Sequence, residues 1–559
     1  MRNSTSFVVH GVLLGALATA LTGCADQPFD PGTPAVDPDA PSIHITTPKL
    51  GTFAGNVKTL VVSGTATDNT GVASVEVNGV QATLAADGTW SATVPVTTGT
   101  QLLHAIAKDA QGNTGKESRA VVSGPMQPIA SAVPQAITAT MTAQTFEAIG
   151  RGVTGYLKTG DLEALVAPQN PIVNVNADST CNFARAEITG LAVGPATTVA
   201  LVPRDGGLAL DVELDHVAVH AHLTYAALCV DGSRDVTIAA SHIKVTGNLN
   251  VGVAGSAFDI KLVDQNVTVT GFDVDLGGVP GKVIDFLHLD TVLGPVVGLA
   301  VEKLVVPMLN GALAGLNNTQ TMNVLGTMVD IKVSPAEVTF DSHGAIIALD
   351  TVLRAQGDTA SPGYVYVANL TPSMTTEHGF QLAVADDAAN QLLGSYWAAK
   401  GMDLGFDLKT GNYGEIGQLY DRVELSAKVP PYVDARSGAL KLTIGDLVAT
   451  FKNGDAIATQ VAVSAEVDIK VTTASDGSPR LDVGQPTAYV DVLDEHVDGA
   501  NSLSNAQFEA ITSFALARVI AFGSGAVGAV PLPSFGGVAL HDVGIAEQSG
   551  YLIVEGEVQ

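Results

Sequence analysis

Histidines, cysteines and turn acids are the residues whose types and spacing could carry chemistry in this chain. His220 and His222 flank Ala221, with His216 nearby. Alternate residues of a strand share a face, so two imidazoles at this spacing could hold zinc if a third ligand converged. No CxxC or HExxH pattern accompanies them, and the outer face of a strand explains them equally well. Asp68-Asn69-Thr70-Gly71 and Asp109-Ala110-Gln111-Gly112-Asn113 offer oxygens suited to calcium. Ordinary turn chemistry accounts for them more simply. Gly523-Ser524-Gly525 follows a helical stretch, not the strand-to-helix elbow a nucleophilic serine requires, and reads as a helix stop. No paired carboxylates or phosphate-cradling loop stand out. The expectation is a protein without catalytic residues, resident metal or cofactor.

The N-terminus carries a different chemistry. Arg2 precedes an apolar run over residues 7–21, too short and too close to the terminus to span a membrane, which reads as the hydrophobic region of a signal peptide. Leu21-Thr22-Gly23-Cys24 follows it and looks like the lipobox of bacterial lipoproteins. That resemblance implies cleavage before Cys24, acylation of Cys24 and a membrane-tethered protein of the bacterial cell envelope. Ala25, in place of aspartate, favours the outer membrane. With Cys24 given to lipid, Cys181 and Cys229 are an even pair in an oxidising compartment, where a disulfide is the default and two buried free thiols are the alternative.

Composition sets the frame for these residues. The chain has 559 residues, 46% of them hydrophobic and 15% charged, with 59 glycines and a formal charge of −29. Large cores can form, turns and strands are favoured, and the acidic field repels nucleic acid and anionic membrane surfaces. Residues 1–23 are the signal peptide. Residues 24–41 form a stiff linker with five prolines and four aspartates, from Asp26 to Pro41. Over residues 42–124, short strands alternate with turns such as Asn78-Gly79 and Asp87-Gly88. This spacing predicts a β-sandwich, and it resembles a bacterial immunoglobulin-like module in Gly88-Thr89-Trp90-Ser91 and the 107–113 turn, with Trp90 as core anchor.

Residues 125–320 and 321–559 repeat one grammar of helix, long alternating strands and helix. Val133, Ile137, Met141, Ile149, Val153 and Leu157 recur at helical spacing within 129–165. Strands follow, and near residue 216 the apolar phase slips by one, from Leu208/Leu210/Val212/Leu214 to Val217/Val219/Ala221/Leu223, which predicts a β-bulge. Residues 283–316 read as a kinked helical region. In the second half, 386–401 and 505–522 read as helices, with Leu392, Leu393, Trp397, Phe508, Ile511 and Phe514 on their apolar faces.

The second half resembles the C-terminal half of the bactericidal/permeability-increasing and plasma lipid-transfer family. The resemblance rests on Ala383-Val384-Ala385-Asp386-Asp387-Ala388-Ala389-Asn390-Gln391-Leu392-Leu393, on Val429-Pro430-Pro431 before residues 440–447, and on Pro531-Leu532-Pro533. In order and spacing it extends over about the last 435 residues. It implies an α+β body of two tandem tubular modules, each a curved antiparallel sheet wrapped around long helices and holding a phospholipid or other long-chain lipid without catalysis. The family's single first-module disulfide has a counterpart in Cys181 and Cys229. Ile137, Met141, Val153 and Leu157 in the first module, and the six apolar residues of the second, become candidate lipid contacts. The basic tip of the antibacterial members has no counterpart in this acidic chain. A surface adhesin or structural lipoprotein, its interior filled by its own side chains and its surface binding a protein or glycan, is the alternative from another class.

Overall fold

A computed structural model describes residues 39–166, 170–176, 178–275, 307, 309–310, 313, 316–324, 326–377, 379–410, 413, 416–436, 440–473, 479–495, 511–512, 514 and 540–558. Cys24, the linker up to residue 38, Phe508, residues 523–525 and Pro531-Leu532-Pro533 lie outside them. So do most residues of the expected helices at 283–316 and 505–522.

The first domain is a two-sheet sandwich. Strands Ser42–Thr47, Thr59–Thr67, Thr89–Pro95 and Thr83–Leu84 make one sheet, in that order. Thr52–Gly55, Thr114–Ser123, Gly99–Asp109, Val72–Val77 and Val80–Gln81 make the other. Asn78 and Gly79, at φ 47° and 79°, close the Val77/Val80 hairpin as their types predict. Trp90 is 2% exposed and packs with Ile43, Val62, Val75 and Leu103 between the sheets. Gly64 makes room for it: a Cβ there would lie 2.7 Å from Trp90 Cζ2 and 1.8 Å from the His44 carbonyl oxygen.

Among the described residues the body is built of strands, not of sheets wrapped around long helices. Strand accounts for 62% and helix for 11%, with four helices, which overturns the α+β tubular expectation. The longest helix, Ala143–Thr159, has 17 residues. The reason is visible in residues 129–165, expected as helix. Val133–Thr142 is instead the middle strand of a seven-stranded sheet, and the helix begins only at Ala143. Residues spaced by four satisfy both a helical and a two-residue period, so Val133, Ile137 and Met141 could not discriminate. Thr138 and Thr140 between them, and Thr142 just after, are β-branched and buried, and belong to a strand covered on both faces.

That sheet runs Asn318–Val324, Thr327–Phe340, Gly344–Ala355, Val133–Thr142, Phe380–Ala385, Tyr551–Val558, Leu540–Gln548. It interleaves strands from both expected halves, and its first strand crosses the 320/321 boundary. A six-stranded sheet built on Gly207–Ala227, Val230–Ala254 and Ala257–Asp275 meets its strand Thr327–Phe340, and a seven-stranded sheet built on Leu440–Asn453 and Ala456–Thr473 meets its strand Leu540–Gln548. One contiguous apolar core joins all three.

The phase slip at residue 216 takes the form of a crease. Asp215 pairs with His242 and Val217 with Ala240, so both strands skip one residue and the register is kept. His216, at φ 44°, and Gly271, at φ 64°, mark the crease on two strands, with Ser241 between them. A Cβ on Gly271 would come within 2.0 Å of Ser241 Oγ. Beyond the crease, Ala221, Leu223, Tyr225 and Val236 bury a separate cluster with Val173, Ala184 and Ala186. Cys181 and Cys229 are joined by a disulfide at that end.

The disulfide closes a loop of sequence separation 48. Replacing both cysteines with serine is expected to cost about 2–4 kcal/mol. It should appear in hydrogen exchange as lost protection confined to the hairpin beyond the crease. Unchanged exchange there would show that the cluster holds without its staple.

Candidate functional site: an apolar cleft

A narrow cleft with an interior of about 10 Å³, room for one water-sized group, lies between the creased sheet and the central sheet. Met141, Val338, Phe340 and Ile347 of the central sheet form one wall, and Leu208, Val251 and Phe258 of the creased sheet form the other. Phe146, in the first turn of Ala143–Thr159, and Leu309 and Leu313 close it. The Phe146 and Phe340 rings sit 5.6 Å apart, centroid to centroid. Every lining residue is apolar. Such a surface offers nothing to a phosphate, a sugar or a carboxylate and can take only hydrocarbon. Ligand pockets commonly measure about 300–1,000 Å³, so a hydrocarbon chain enters here only where the walls part.

Of the candidate contacts, the structure places Met141 in this wall. Ile137 and Met141 stand on the central strand, not on a helix. Val153 and Leu157 are buried on the inner face of Ala143–Thr159, and Leu392 and Leu393 on Asp386–Ala398, all within the core. Ile511 is fully buried, and Phe514 stacks edge-on against Phe406 and Tyr413 at 5.9 and 5.5 Å. Trp397 is partly buried, and its Nε1 donates to the Ala427 carbonyl oxygen at 2.8 Å. These residues act as core rather than as one assembled site. Phe146, Phe258 and Phe340 were not singled out by sequence. Their signal was present in Phe340, which shares the inward phase of its strand with Val338.

The segment carrying the family resemblance is a polar clasp. Gln391, fully buried, accepts from the Leu353 amide at 2.7 Å and donates to the Ile129 and Ser131 carbonyl oxygens at 3.0 and 2.6 Å. Asn390 exchanges two 2.8 Å bonds with the backbone of Val433. Asp386 accepts from Asn369 Nδ2 at 2.8 Å and from the Ala435 amide at 2.9 Å. Asp387 accepts from the Val367 amide at 3.2 Å. Burial, and then the neighbouring Asp386, push the Asp387 carboxyl up to about 7. The helix therefore joins strands of the central sheet to the C-terminal one through hydrogen bonds, which core packing alone would leave free to slide.

The histidines sit on the outer face of the creased sheet. His222 Nδ1 lies 2.7 Å from Asp235 and His220 Nδ1 lies 3.1 Å from Thr237 Oγ1. No group of three His, Cys, Asp or Glu placed to hold a metal occurs among the described residues. Asp68 and Asp109 accept from their own turns, at the Gly71 and Asn113 amides.

Residues 41–124 match the family described as Glucodextranase, domain B, and the match coincides with the two-sheet sandwich. No curated protein matches the chain. Among solved structures, a lipopolysaccharide binding protein is 16% identical, with 76% of this chain and 99% of that chain covered, at a TM-score of 0.38. P47 of Clostridium botulinum E1 is 8% identical, covering 77% and 100%, and P47 from Clostridium botulinum A2 is 10% identical, covering 75% and 96%; both have a TM-score of 0.25. Likenesses this distant do not fix the body's fold.

Two outcomes follow from the clasp. Gln391→Ala strands three backbone groups and is expected to cost about 2–4 kcal/mol, read by chemical unfolding. For Asp387 the folded carboxyl titrates above its unfolded value. Its contribution to stability is therefore complete below about pH 4 and lost as pH rises through about 7. Asp387→Asn should raise the melting temperature at pH 8.5 and leave it nearly unchanged at pH 3.5. An equal effect at both would assign the change to packing.

Proposed function

We propose that this chain is a non-catalytic carrier of the bacterial cell envelope. It is tethered to the outer membrane through acylated Cys24 and takes the apolar end of a phospholipid or another long-chain lipid into the cleft at Met141. The observation that supports this reading is the cleft itself, which has ten apolar lining residues and no polar one. Each methylene it removes from water contributes about 0.8 kcal/mol. The headgroup stays outside in water, and lipid specificity is then set by tail rather than by charge.

A second reading has its own support. The body's core is contiguous across three sheets, and most of its buried apolar side chains lie outside the cleft. This favours a structural or adhesive lipoprotein whose surface binds a protein or glycan. Native mass spectrometry of the chain purified from bacterial envelope separates the two. Near-stoichiometric co-purifying lipid, lost in Met141→Trp and Ile347→Trp variants that keep their melting temperature, supports carriage. A ligand-free mass, with no uptake of a fluorescent phospholipid, supports the second reading.

A further inference from the structure

The sandwich is seated on the C-terminal sheet through buried acids. Asp446 is fully buried, and its two carboxylate oxygens accept from the Ala120 amide at 2.8 Å and the Gly51 amide at 3.2 Å, both in the sandwich. Asp491, half-buried, accepts from the Ser118 amide at 3.1 Å. Between these two amides on the same sandwich strand stands Arg119. Glu117 of that strand is buried as well, and the Arg119 guanidinium lies against its carboxylate. Three carboxylates thus lie within the field of one guanidinium, which pairs with Glu117. Around them Leu102, Ala120 and Val122 of the sandwich pack on Val365, Val429 and Tyr432 of the body, which keeps water away.

We propose that this seat is a pH-gated latch: the sandwich is held closed on the body while Asp446 or Asp491 carries a proton, and is released when both are ionised. Backbone amides bond either form of a carboxyl oxygen, but only the neutral form avoids placing uncompensated charge in an apolar seat. Burial raises Asp446 to about 6 and Asp491 to about 7. Raised values in the closed state mean that closure is favoured at low pH and lost as pH climbs through 6 to 7.

The other charged groups at the seat do not supply the missing cation. His44 lies 3.5 Å from Glu117 and is itself exposed. His104, its ring centroid 4.0 Å from that of Tyr489, is pushed down by burial, which disfavours its charged form. Lys441 is engaged with Glu466 at 2.9 Å. Arg436 is engaged with Asp434 and reaches the sandwich only at the Thr98 carbonyl oxygen. Lys428 gives its backbone amide to the Asp446 carbonyl oxygen and its Nζ to Ser426.

The latch stands apart from lipid carriage and is tested without a ligand. Hydrogen exchange of the full chain, corrected for intrinsic pH dependence, is compared at pH 5.5 and pH 8.5. Closure should weaken about tenfold or more over this span, because a carboxyl that binds its proton ten times more tightly when closed changes the closing equilibrium by the same factor. Protection is expected to fall to that extent over Thr114–Ser123 and Leu440–Asn453. Strands Thr59–Thr67 and Thr89–Pro95, on the sandwich's other sheet, should keep theirs. In an Asp491→Asn variant, whose amide oxygen can still accept from the Ser118 amide, the fall should shrink, with more of the closed form kept at pH 8.5. Equal protection at both pH values in the native chain overturns the proposal whatever the variant does. So does loss over the whole sandwich together, which would be unfolding instead of release, and so does a well-folded Asp491→Asn variant in which the fall is undiminished.

Discussion

The structure depends most on the pairing of one strand. Val133–Thr142 lies between Gly344–Ala355 and Phe380–Ala385. Its partners are more than two hundred residues away in the chain. Every residue from Ala136 to Thr142 is buried, so the strand must be covered on both faces. The cleft wall at Met141, the start of the helix at Ala143 and the clasp at Gln391 are consequences of where this strand sits. Such non-local pairing incurs a loop-closure cost before any contact repays it. The hydrogen-bonded clasp from Asp386–Ala398 then fixes how the neighbouring sheets meet.

Polar groups do more of the organising than the apolar composition suggests. The core is large but permissive, because aliphatic side chains can slide past one another at small cost. Gln391, Asn390 and Asp386 accept only particular backbone partners, and leaving those unmet costs about 1–3 kcal/mol each. The same logic recurs under the sandwich, where Asp446 and Asp491 meet backbone amides of Gly51, Ala120 and Ser118. A domain that composition presents as a spacer is thereby a seated part of the body. Carboxylates were used at both places, and burial without a matching cation makes each of them sensitive to pH.

Much of the local structure was legible in the residues. The sandwich strands, the Asn78-Gly79 turn and Trp90 as anchor follow from alternation and turn chemistry, which act over a few residues. The helix Asp386–Ala398 was readable from its apolar spacing. The slip at residue 216 was readable too, although a one-residue change of phase cannot say whether a strand bulges or a whole sheet creases. The segment 129–165 misled because a spacing of four fits two periods. The β-branched threonines at 138, 140 and 142 were the overlooked signal. The cleft was not legible beyond Met141, since Phe146, Phe258 and Phe340 come from three elements that only packing brings together.

The sequence by itself determined the residues that can form a sandwich, where its turns fall, and that Cys181 and Cys229 could pair. These are properties of neighbours along the chain and of residue type. Tertiary structure decided which apolar residues line a cleft and which fill the core, and that the body is mostly strand. It also decided that Asp446 and Asp491 are covered by a domain more than three hundred residues earlier in sequence. Burial is the physical reason. Whether a leucine meets a ligand or a neighbour, and whether an aspartate keeps its proton, depends on what lies against it from distant parts of the chain.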